Sequence, residues 1–375
     1  LAQFYGGRRD REVSQAVHTA AAMSLAGGAL FTVLGIVFSP VILRWMGTPE
    51  DVLVHAEVYV RIYFAGMIPS LIYNVGAGLL RAVGDSRRPL YFLISACMVN
   101  IVLDVLLVVG LEMGVAGAAI ATIFSQAVSA VLVVLTLLRS RQAYRLEPRK
   151  IRFYGNLLDR IVRIGFPAGL QSVMYSLSNI IIQASINAFG TDIVAAYTAY
   201  GKLDGLYWMM INAFGVSITT FVGQNFGAGK YDRMRRSVRV CLLMTFGATV
   251  LMSGFFLLLG EPLYRLFTDD AQVIALGMQI LRLLVPTYVT YICIEVLAGA
   301  VRGTGDSLIP TLFTLTGVCL LRVAWVMGVA PAYHSLTVVL LSYPITWTIT
   351  SVLFVIYYLK GGWLKRSISK AKLEA

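Results

Sequence analysis

Long apolar runs dominate the sequence and restrict the folds that it can adopt. Ten of them reach the length of about 20 residues that a helix needs to cross roughly 30 Å of hydrocarbon. The ten runs are residues 17–43, 52–80, 89–110, 114–138, 159–188, 192–222, 236–260, 272–301, 309–330 and 335–359. Apolar residues make up 58% of the chain and charged residues 13%, and the mean hydropathy of +0.77 lies far from that of a soluble domain. The sequence therefore predicts an all-α polytopic membrane protein with ten spans.

Basic residues are concentrated on one side of these predicted spans. Of the 31 Lys and Arg residues, 25 lie in the two termini and in alternate loops, whereas the loops of the opposite side hold only Arg44 and Arg265. Because cytoplasmic loops carry an excess of Lys and Arg, both termini are predicted to be cytoplasmic. The net charge of +12 is then an orientation signal, and no nucleic-acid partner is predicted.

The residues that usually build metal centres, disulfides and enzyme active sites are scattered. The four cysteines lie inside apolar runs without a CxxC pair, and the three histidines form no HExxH or similar motif. Neither a disulfide framework nor a transition-metal site is indicated. In an enzyme we would expect His, Cys and Asp residues at the spacing of a catalytic motif, and the sequence has no such cluster. The chain is therefore predicted not to be an enzyme and to need no cofactor.

An internal repeat divides the chain into two halves. Residues 81–89 read RAVGDSRRP and residues 302–310 read RGTGDSLIP, and the same separation in sequence also relates Arg61 to Arg282 and Gly78 to Gly299. Identities at one constant offset indicate two homologous halves. Six spans fit into one period, and an even number makes the halves parallel, with a pseudo-two-fold axis along the membrane normal.

The repeat also predicts the domain organisation. The runs 159–188 and 192–222 open the second half, and their counterparts would precede Leu1, so we expect a protein truncated at its N-terminus by two helices. The expected domains are an N-terminal lobe at 1–139, a basic cytoplasmic linker at 140–157, and a C-terminal lobe at 158–375 with a short cytoplasmic tail. They would hold helices 3–6 and 7–12 of an intact twelve-helix fold.

Asp104 is an acidic residue within the apolar run 89–110. A carboxylate at bilayer depth costs about 2.5–3.5 kcal/mol, and such residues usually face a partner or a cavity. Asn100 precedes it by four residues and shares its helix face, and small residues around Thr122 allow the next span to approach closely. Carboxylate, amide and hydroxyl oxygens suit Na⁺, and the carboxylate also suits H⁺. Asn100, Asp104 and Thr122 are predicted to form a cation-coupling site; an interhelical hydrogen-bond network is the alternative.

The second half contains further candidates. Asp204 and Glu295 lie inside apolar runs, and either a coupling role or a structural polar contact fits their residue type. Aromatic rings attract organic cations and Met side chains adapt to varied shapes. The candidates for a substrate cavity are Met174, Tyr175, Tyr200 and Tyr207, although packing or lipid contact would explain each of them as well.

The two Gly-Asp-Ser segments do not have the GxxxxGK[ST] spacing of a phosphate-binding loop. We interpret them as tight cytoplasmic turns in which Asp85 and Asp306 cap the following helices or pair with Arg81 and Arg302. ATP-driven transport is therefore not favoured.

Together these motifs resemble the multidrug and toxic compound extrusion (MATE) family, in particular its DinF-like and related bacterial branches. The resemblance is carried by LRAVGDS at Leu80–Ser86, NIVLD at Asn100–Asp104, GAAIAT at Gly117–Thr122, GFP at Gly165–Pro167 and GQNFGAGK at Gly223–Lys230. It implies two six-helix lobes around a central cavity, in a monomer of the prokaryotic plasma membrane (the inner membrane where a cell has two).

The resemblance also implies a function. The family exports cationic amphipathic compounds in exchange for Na⁺ or H⁺, and Asn100, Asp104 and Thr122 match its cation site in the N-terminal lobe. That site also uses an Asp on the first helix, which has no counterpart in this sequence, and the Glu that some branches carry on helix seven is replaced by Tyr175. A flippase for lipid-linked precursors is the alternative, but it would favour a strongly cationic cavity, whereas the basic residues here lie mainly in loops.

Overall fold

The computed structural model describes residues 1–373, with side chains through residue 369. Over this range the chain is built of helices joined by short loops, and it forms two compact units, Leu1–Arg160 and a second unit from Ile161 onward. This agrees with the predicted all-α architecture, since a chain of apolar runs satisfies its backbone hydrogen bonds most completely in helices.

The first unit contains six helices and the start of a seventh. They are α1 (Ala2–Gly6), α2 (Asp10–Trp45), α3 (Glu50–Ala65), α4 (Met67–Ala82), α5 (Arg87–Asp104), α6 (Gly114–Arg139) and α7 (Gly155–Asn187), which continues into the second unit. Helix α5 runs on into a π-helical turn at Val105–Gly110.

The second unit contains the remaining helices. They are α8 (Thr191–Gly227), α9 (Tyr231–Arg265), α10 (Ala271–Leu284), α11 (Ile292–Gly303), α12 (Leu308–Thr314), α13 (Leu321–Gly328), α14 (Ala330–Tyr333), α15 (Leu336–Leu359) and α16 (Gly362–Leu373). A 3₁₀ turn at Val285–Thr290 joins α10 to α11, and a π-helical turn at Leu315–Leu320 joins α12 to α13.

Within the described chain, eight helical segments are long and apolar enough to cross a membrane, or nine if the bent pair α3–α4 is one span. The sequence predicted ten. The remaining run, 159–188, lies on α7, a helix of 33 residues that is long enough but is not among the apolar spans. Its composition explains this, because Gln171, Asn179 and Gln183 on α7 line a polar cavity described below.

The helix boundaries recur at the offset found in the sequence. Position for position, the start of α9 at Tyr231 corresponds to the start of α2 at Asp10, and the end of α11 at Gly303 corresponds to the end of α4 at Ala82. The runs 52–80 and 272–301 are equivalent in the repeat, and both form irregular helices. The first has a 48° bend between α3 and α4, and the second has the 3₁₀ turn between α10 and α11. The π-helical turns, by contrast, lie at non-equivalent positions. The two halves therefore differ in helix geometry immediately after Asp104, the last residue of α5.

The segment predicted as a linker packs back onto the first unit. The buried ring of His18 on α2 hydrogen bonds through Nδ1 to the Ser14 carbonyl oxygen (2.6 Å), and its Nε2 accepts the backbone N–H of Glu147 (3.0 Å). The backbone N–H of Leu146 donates to the carbonyl of Leu137 at the end of α6 (3.0 Å). Residues 140–154 thus close over the ends of α2 and α6.

In the second unit, α8 and α11 approach each other through glycine. A Cβ added at Gly299 would lie 3.0 Å from the Gly215 carbonyl oxygen, and one at Gly303 would lie 2.8 Å from the Thr219 carbonyl oxygen. The Thr219 hydroxyl lies 3.0 Å from the Gly299 carbonyl oxygen, in hydrogen-bond contact. This is the small-xxx-small packing by which helices associate in membranes, and it places Glu295 of α11 directly against α8.

Candidate functional site

The second unit encloses a cavity of about 750 Å³ between side chains of α7, α8, α11, α13 and α15. Its walls carry charges of both signs among aromatic rings. The charged and aromatic residues that line it are Asp204, Glu295, Arg302, Arg322, Tyr175, Tyr197, Trp208, Tyr291 and Tyr343.

Asp204 is the most heavily hydrogen-bonded of the cavity's acidic residues. Its Oδ1 accepts the hydroxyls of Tyr288 (2.6 Å) and Tyr200 (3.1 Å), and its Oδ2 accepts the indole N–H of Trp208 (2.7 Å). Tyr200 and Trp208 lie one turn before and after Asp204 on α8, whereas Tyr288 comes from the 3₁₀ turn before α11. Three neutral donors thus hold the carboxylate at the cavity wall and stabilise its negative charge.

The aromatic residues predicted to form a substrate cavity divide into two groups. Tyr175 lines the cavity, and its hydroxyl lies 3.2 Å from that of Tyr291. Tyr200 and Tyr207 are buried behind the cavity wall, where Tyr207 stacks on Tyr288 with 3.9 Å between ring centroids. Met174 is half-buried and is not among the lining residues. Sequence spacing could not separate these groups, because it does not show which face of α7 or α8 meets the cavity and which meets another helix.

Glu295, the second predicted acid, forms an ion pair with Arg302 at 3.4 Å. Both side chains line the cavity and are largely buried. Glu295 crosses the face of α8 at Gly215, where any Cβ would overlap its Oε1. The pair therefore depends on the close approach of α8 and α11.

Arg322 is a cavity residue that was not selected as a site candidate from the sequence. It lies on α13 with only 2% of its surface exposed. Its Cζ is 4.2 Å from the Tyr343 ring centroid and 5.9 Å from that of Trp347. In the sequence, Arg322 stands out as the one basic residue within the run 309–330. A charged side chain inside a membrane span has a free-energy cost there, as it has at Asp104.

The three residues of the predicted cation site lie in the first unit, on α5 and α6, which pack against each other. Asn100 and Asp104 are half-buried, and Asn100 Nδ2 and Asp104 Oδ1 are buried atoms without a hydrogen-bond partner. The Thr122 hydroxyl donates to the Ala118 carbonyl oxygen of its own helix (2.9 Å). No hydrogen bond links Thr122 to Asp104 among the described residues.

The Gly-Asp-Ser segments form tight turns, as predicted. Gly84 and Gly305 adopt left-handed φ values of 95° and 91°, which glycine tolerates without strain. Asp85 Oδ1 accepts the backbone N–H of Arg88 (3.1 Å), and Asp306 Oδ1 lies 3.5 Å from that of Ile309. Both acids cap the first turn of the next helix, and Asp85 also pairs with the Arg88 side chain.

Comparison with known proteins gives a consistent assignment. The MatE family model matches residues 1–106 and 167–327. The "Probable multidrug resistance protein YoeA" of Bacillus subtilis is 26% identical over 99% of this chain and 81% of its own length. The "Probable multidrug resistance protein NorM" of Thermotoga maritima is 26% identical over 93% of this chain and 78% of its own length.

A solved structure of a MOP superfamily transporter from Pyrococcus furiosus has the same fold, with a TM-score of 0.89 and 22% identity over 98% of this chain and 82% of that chain. The family match covers most of the chain and includes residues from both halves of the repeat. The chain therefore belongs to the MatE family, whose members are integral membrane transporters and not enzymes.

Proposed function

We propose that the protein is a secondary active multidrug exporter that exchanges cationic amphipathic compounds for Na⁺ or H⁺ at Asp104. One observation carries the proposal: Asp104 Oδ1 is a buried carboxylate oxygen without a hydrogen-bond partner. A buried polar atom left unsatisfied costs about 1–3 kcal/mol, and more where the group is charged. Binding a cation or a proton removes this penalty.

We expect Asn100 and Thr122 to complete the cation site with Asp104. Rotating the Asn100 amide by half a turn exchanges its Nδ2 and Oδ1 positions, which would turn the unsatisfied buried position into an oxygen ligand. The Thr122 hydroxyl donates its hydrogen within α6, so its oxygen lone pairs remain available to a cation. The site would then offer three oxygen types that suit Na⁺, while the carboxylate alone suffices for H⁺.

The helix itself supports a moving part at this point. The π-helical turn at Val105–Gly110 begins at the residue after Asp104, and π-helical turns inside α-helices occur frequently at functional sites. A coupling ion can drive transport only if it binds two conformations with different affinity. We propose that the α5 segment around this turn is the element whose arrangement changes with ion binding.

The cavity of the second unit is the proposed binding place for the exported compound. Aromatic rings and the carboxylates of Asp204 and Glu295 attract organic cations. Both acids already have partners in the protein, unlike Asp104, so we assign them a secondary role in which the exported cation competes for them. The "multidrug resistance" names of the relatives support this proposal, and we expect a monomer in the plasma membrane with both termini in the cytoplasm.

Ethidium efflux from proteoliposomes tests the proposal. Protein reconstituted into vesicles should export ethidium when an inward Na⁺ gradient or an inward pH gradient is imposed, and comparison of the two gradients identifies the coupling ion. Asp104→Asn should abolish gradient-driven efflux while the protein still elutes as a folded species.

Glu57→Gln is the matched control, because it removes an acid on another helix of the same unit that pairs with the exposed Arg61 (2.8 Å). It should transport as the unmodified protein does. Full gradient-driven efflux by Asp104→Asn would remove this residue from the mechanism.

A further inference from the structure

We infer that Arg322 binds an anionic group of the transported molecule, so that the cavity of the second unit accepts aromatic carboxylates and phosphates, including zwitterions. The inference rests on the proposed function in one respect only, that this cavity receives the transported compound. It assigns the binding of an anionic group to one residue of the cavity.

The hydrogen-bonding capacity of Arg322 is largely unused. A guanidinium has five N–H donors. One terminal nitrogen lies 3.4 Å from the Thr346 hydroxyl, a long contact, and Nε has no partner. No carboxylate in the described part of the chain lies within the 4.0 Å of an ion pair with Arg322. Arg322 is therefore an almost fully buried cation at the cavity wall, and its guanidinium has N–H donors that no group of the described chain accepts.

The contacts that Arg322 does make hold it in place without using those donors. The rings of Tyr343 and Trp347 stabilise its charge by cation–π attraction. Attraction to a ring does not replace an oxygen acceptor for the N–H groups. The guanidinium is thus positioned by two rings of α15 and remains able to bind a ligand.

Neither acid of the cavity forms an ion pair with Arg322. Both oxygens of Asp204 accept hydrogen bonds from Tyr200, Tyr288 and Trp208. Glu295 is paired with Arg302. The protein has therefore matched each of its own carboxylates in the cavity to another group and has left the Arg322 guanidinium without one. An oxygen atom of a ligand would supply the hydrogen-bond acceptor that the Arg322 guanidinium does not find in the described part of the protein.

The chemistry of a guanidinium and of the cavity walls defines the ligand. The planar fork of Arg matches the two oxygens of a carboxylate or phosphate. The rings of Tyr197, Trp208 and Tyr343 line the same cavity, together with polar amides of α7. A volume of about 750 Å³ lies within the range of pockets for drug-sized molecules. The ligand class is a planar aromatic molecule that carries one anionic group.

Riboflavin and flavin mononucleotide form a matched pair of probes, because they share one aromatic ring system and differ by a phosphate. Each is titrated with purified protein in detergent, and binding is followed by flavin fluorescence anisotropy. Hydrogen bonds to charged groups are strong enough that the phosphate should tighten binding by about tenfold or more. Equal affinities for the two flavins would overturn the inference.

Variants locate the effect. Arg322→Gln should bind both flavins with the same affinity, and Arg322→Lys, which keeps the charge but not the fork, should show an intermediate preference. Arg282→Gln is the control, because Arg282 is exposed on α10 and does not line the cavity; it should keep the full preference. Persistence of the preference in Arg322→Gln would place the phosphate elsewhere.

The two proposals fail in different experiments. Flavin binding in detergent needs no ion gradient, so loss of gradient-driven ethidium efflux would leave this inference intact. If Arg322→Gln does not fold, as judged by size-exclusion chromatography, the riboflavin comparison in the unmodified protein and the Arg322→Lys variant still decide the outcome.

Discussion

Asp104 and Asp204 are both acidic residues on membrane helices, and their surroundings are opposite. Asp204 accepts three hydrogen bonds, from two tyrosines and a tryptophan. Asp104 has a buried oxygen that accepts none. A carboxylate whose oxygens already accept hydrogen bonds gains little free energy from a further ligand, whereas one with an unsatisfied buried oxygen gains much. The two residues are therefore suited to different tasks. Asp104 is suited to binding an ion, and Asp204 to shaping a cavity wall.

Replacing Asp204 by Ala should destabilise the protein by about 1–3 kcal/mol, because it leaves the Trp208 indole N–H without its acceptor. The indole is a donor only, and the alanine methyl cannot accept a hydrogen bond from it. We expect a lower midpoint of thermal unfolding in detergent for Asp204→Ala.

A double-mutant cycle with Trp208→Phe isolates this contact, since Phe has no N–H. In the Trp208→Phe protein, Asp204→Ala should be markedly less destabilising than in the unmodified protein. Additive effects of the two substitutions would show that the hydrogen bond contributes nothing.

At the scale of the elements, the contact between α8 and α11 places the charged residues of the cavity. Glycines at positions 215, 299 and 303 allow the two backbones to touch. The ion pair between Glu295 and Arg302 then lies across the face of α8 that Gly215 leaves open. The glycines thus act through the position of Glu295 and not through backbone conformation, since all three lie inside helices.

Gly215→Ala should displace the Glu295 carboxylate, because the added methyl would occupy the position of Oε1. The ion pair with Arg302 would be broken or strained, and we expect a lower unfolding midpoint together with reduced efflux. Combining Gly215→Ala with Glu295→Ala, which removes the overlapping atoms, should cost little beyond Glu295→Ala alone.

Gly205→Ala is the control on the same helix, because nothing lies within 4 Å of an added Cβ there. Alanine is the better helix former by up to about 1 kcal/mol, so stability should be unchanged or slightly raised. Equal destabilisation by both substitutions would contradict the role of Gly215 in positioning Glu295.

At the scale of the whole molecule, the internal repeat and the charge distribution predict how the chain is oriented in a membrane. Helices begin and end at matching positions of the two halves, as at Asp10 and Tyr231. Of the 31 Lys and Arg residues, 25 fall on one predicted side. An even number of spans per repeat predicts that the two halves cross the membrane in the same direction.

The predicted orientation can be measured with single cysteines in a protein whose four native cysteines are replaced by alanine. Ser86→Cys lies in a basic, predicted cytoplasmic turn, and Asp269→Cys lies in an exposed loop that is predicted to be on the opposite side. A membrane-impermeant maleimide added to intact cells should label the Asp269→Cys protein and should label Ser86→Cys only after permeabilisation. The reverse pattern would invert the topology.

The sequence by itself determined the helices, their membrane setting and the repeat. Apolar runs of this length have few alternatives, because a backbone in hydrocarbon must satisfy its hydrogen bonds within each helix. The turn glycines and the caps Asp85 and Asp306 were equally predictable, since they act on residues three or fewer positions away. The polar character of α7 was underestimated, because one face of that helix lines a cavity.

Only the tertiary structure decided which polar groups meet. Asp204 binds Tyr288, which is 84 residues away, and no periodicity in the sequence connects the two. For the same reason Tyr200 and Tyr207 proved to be core residues, whereas Arg322 proved to be a cavity residue. A helix face can be read from spacing, but the neighbour that it meets depends on how several helices pack, and that is where the chemistry of this protein is set.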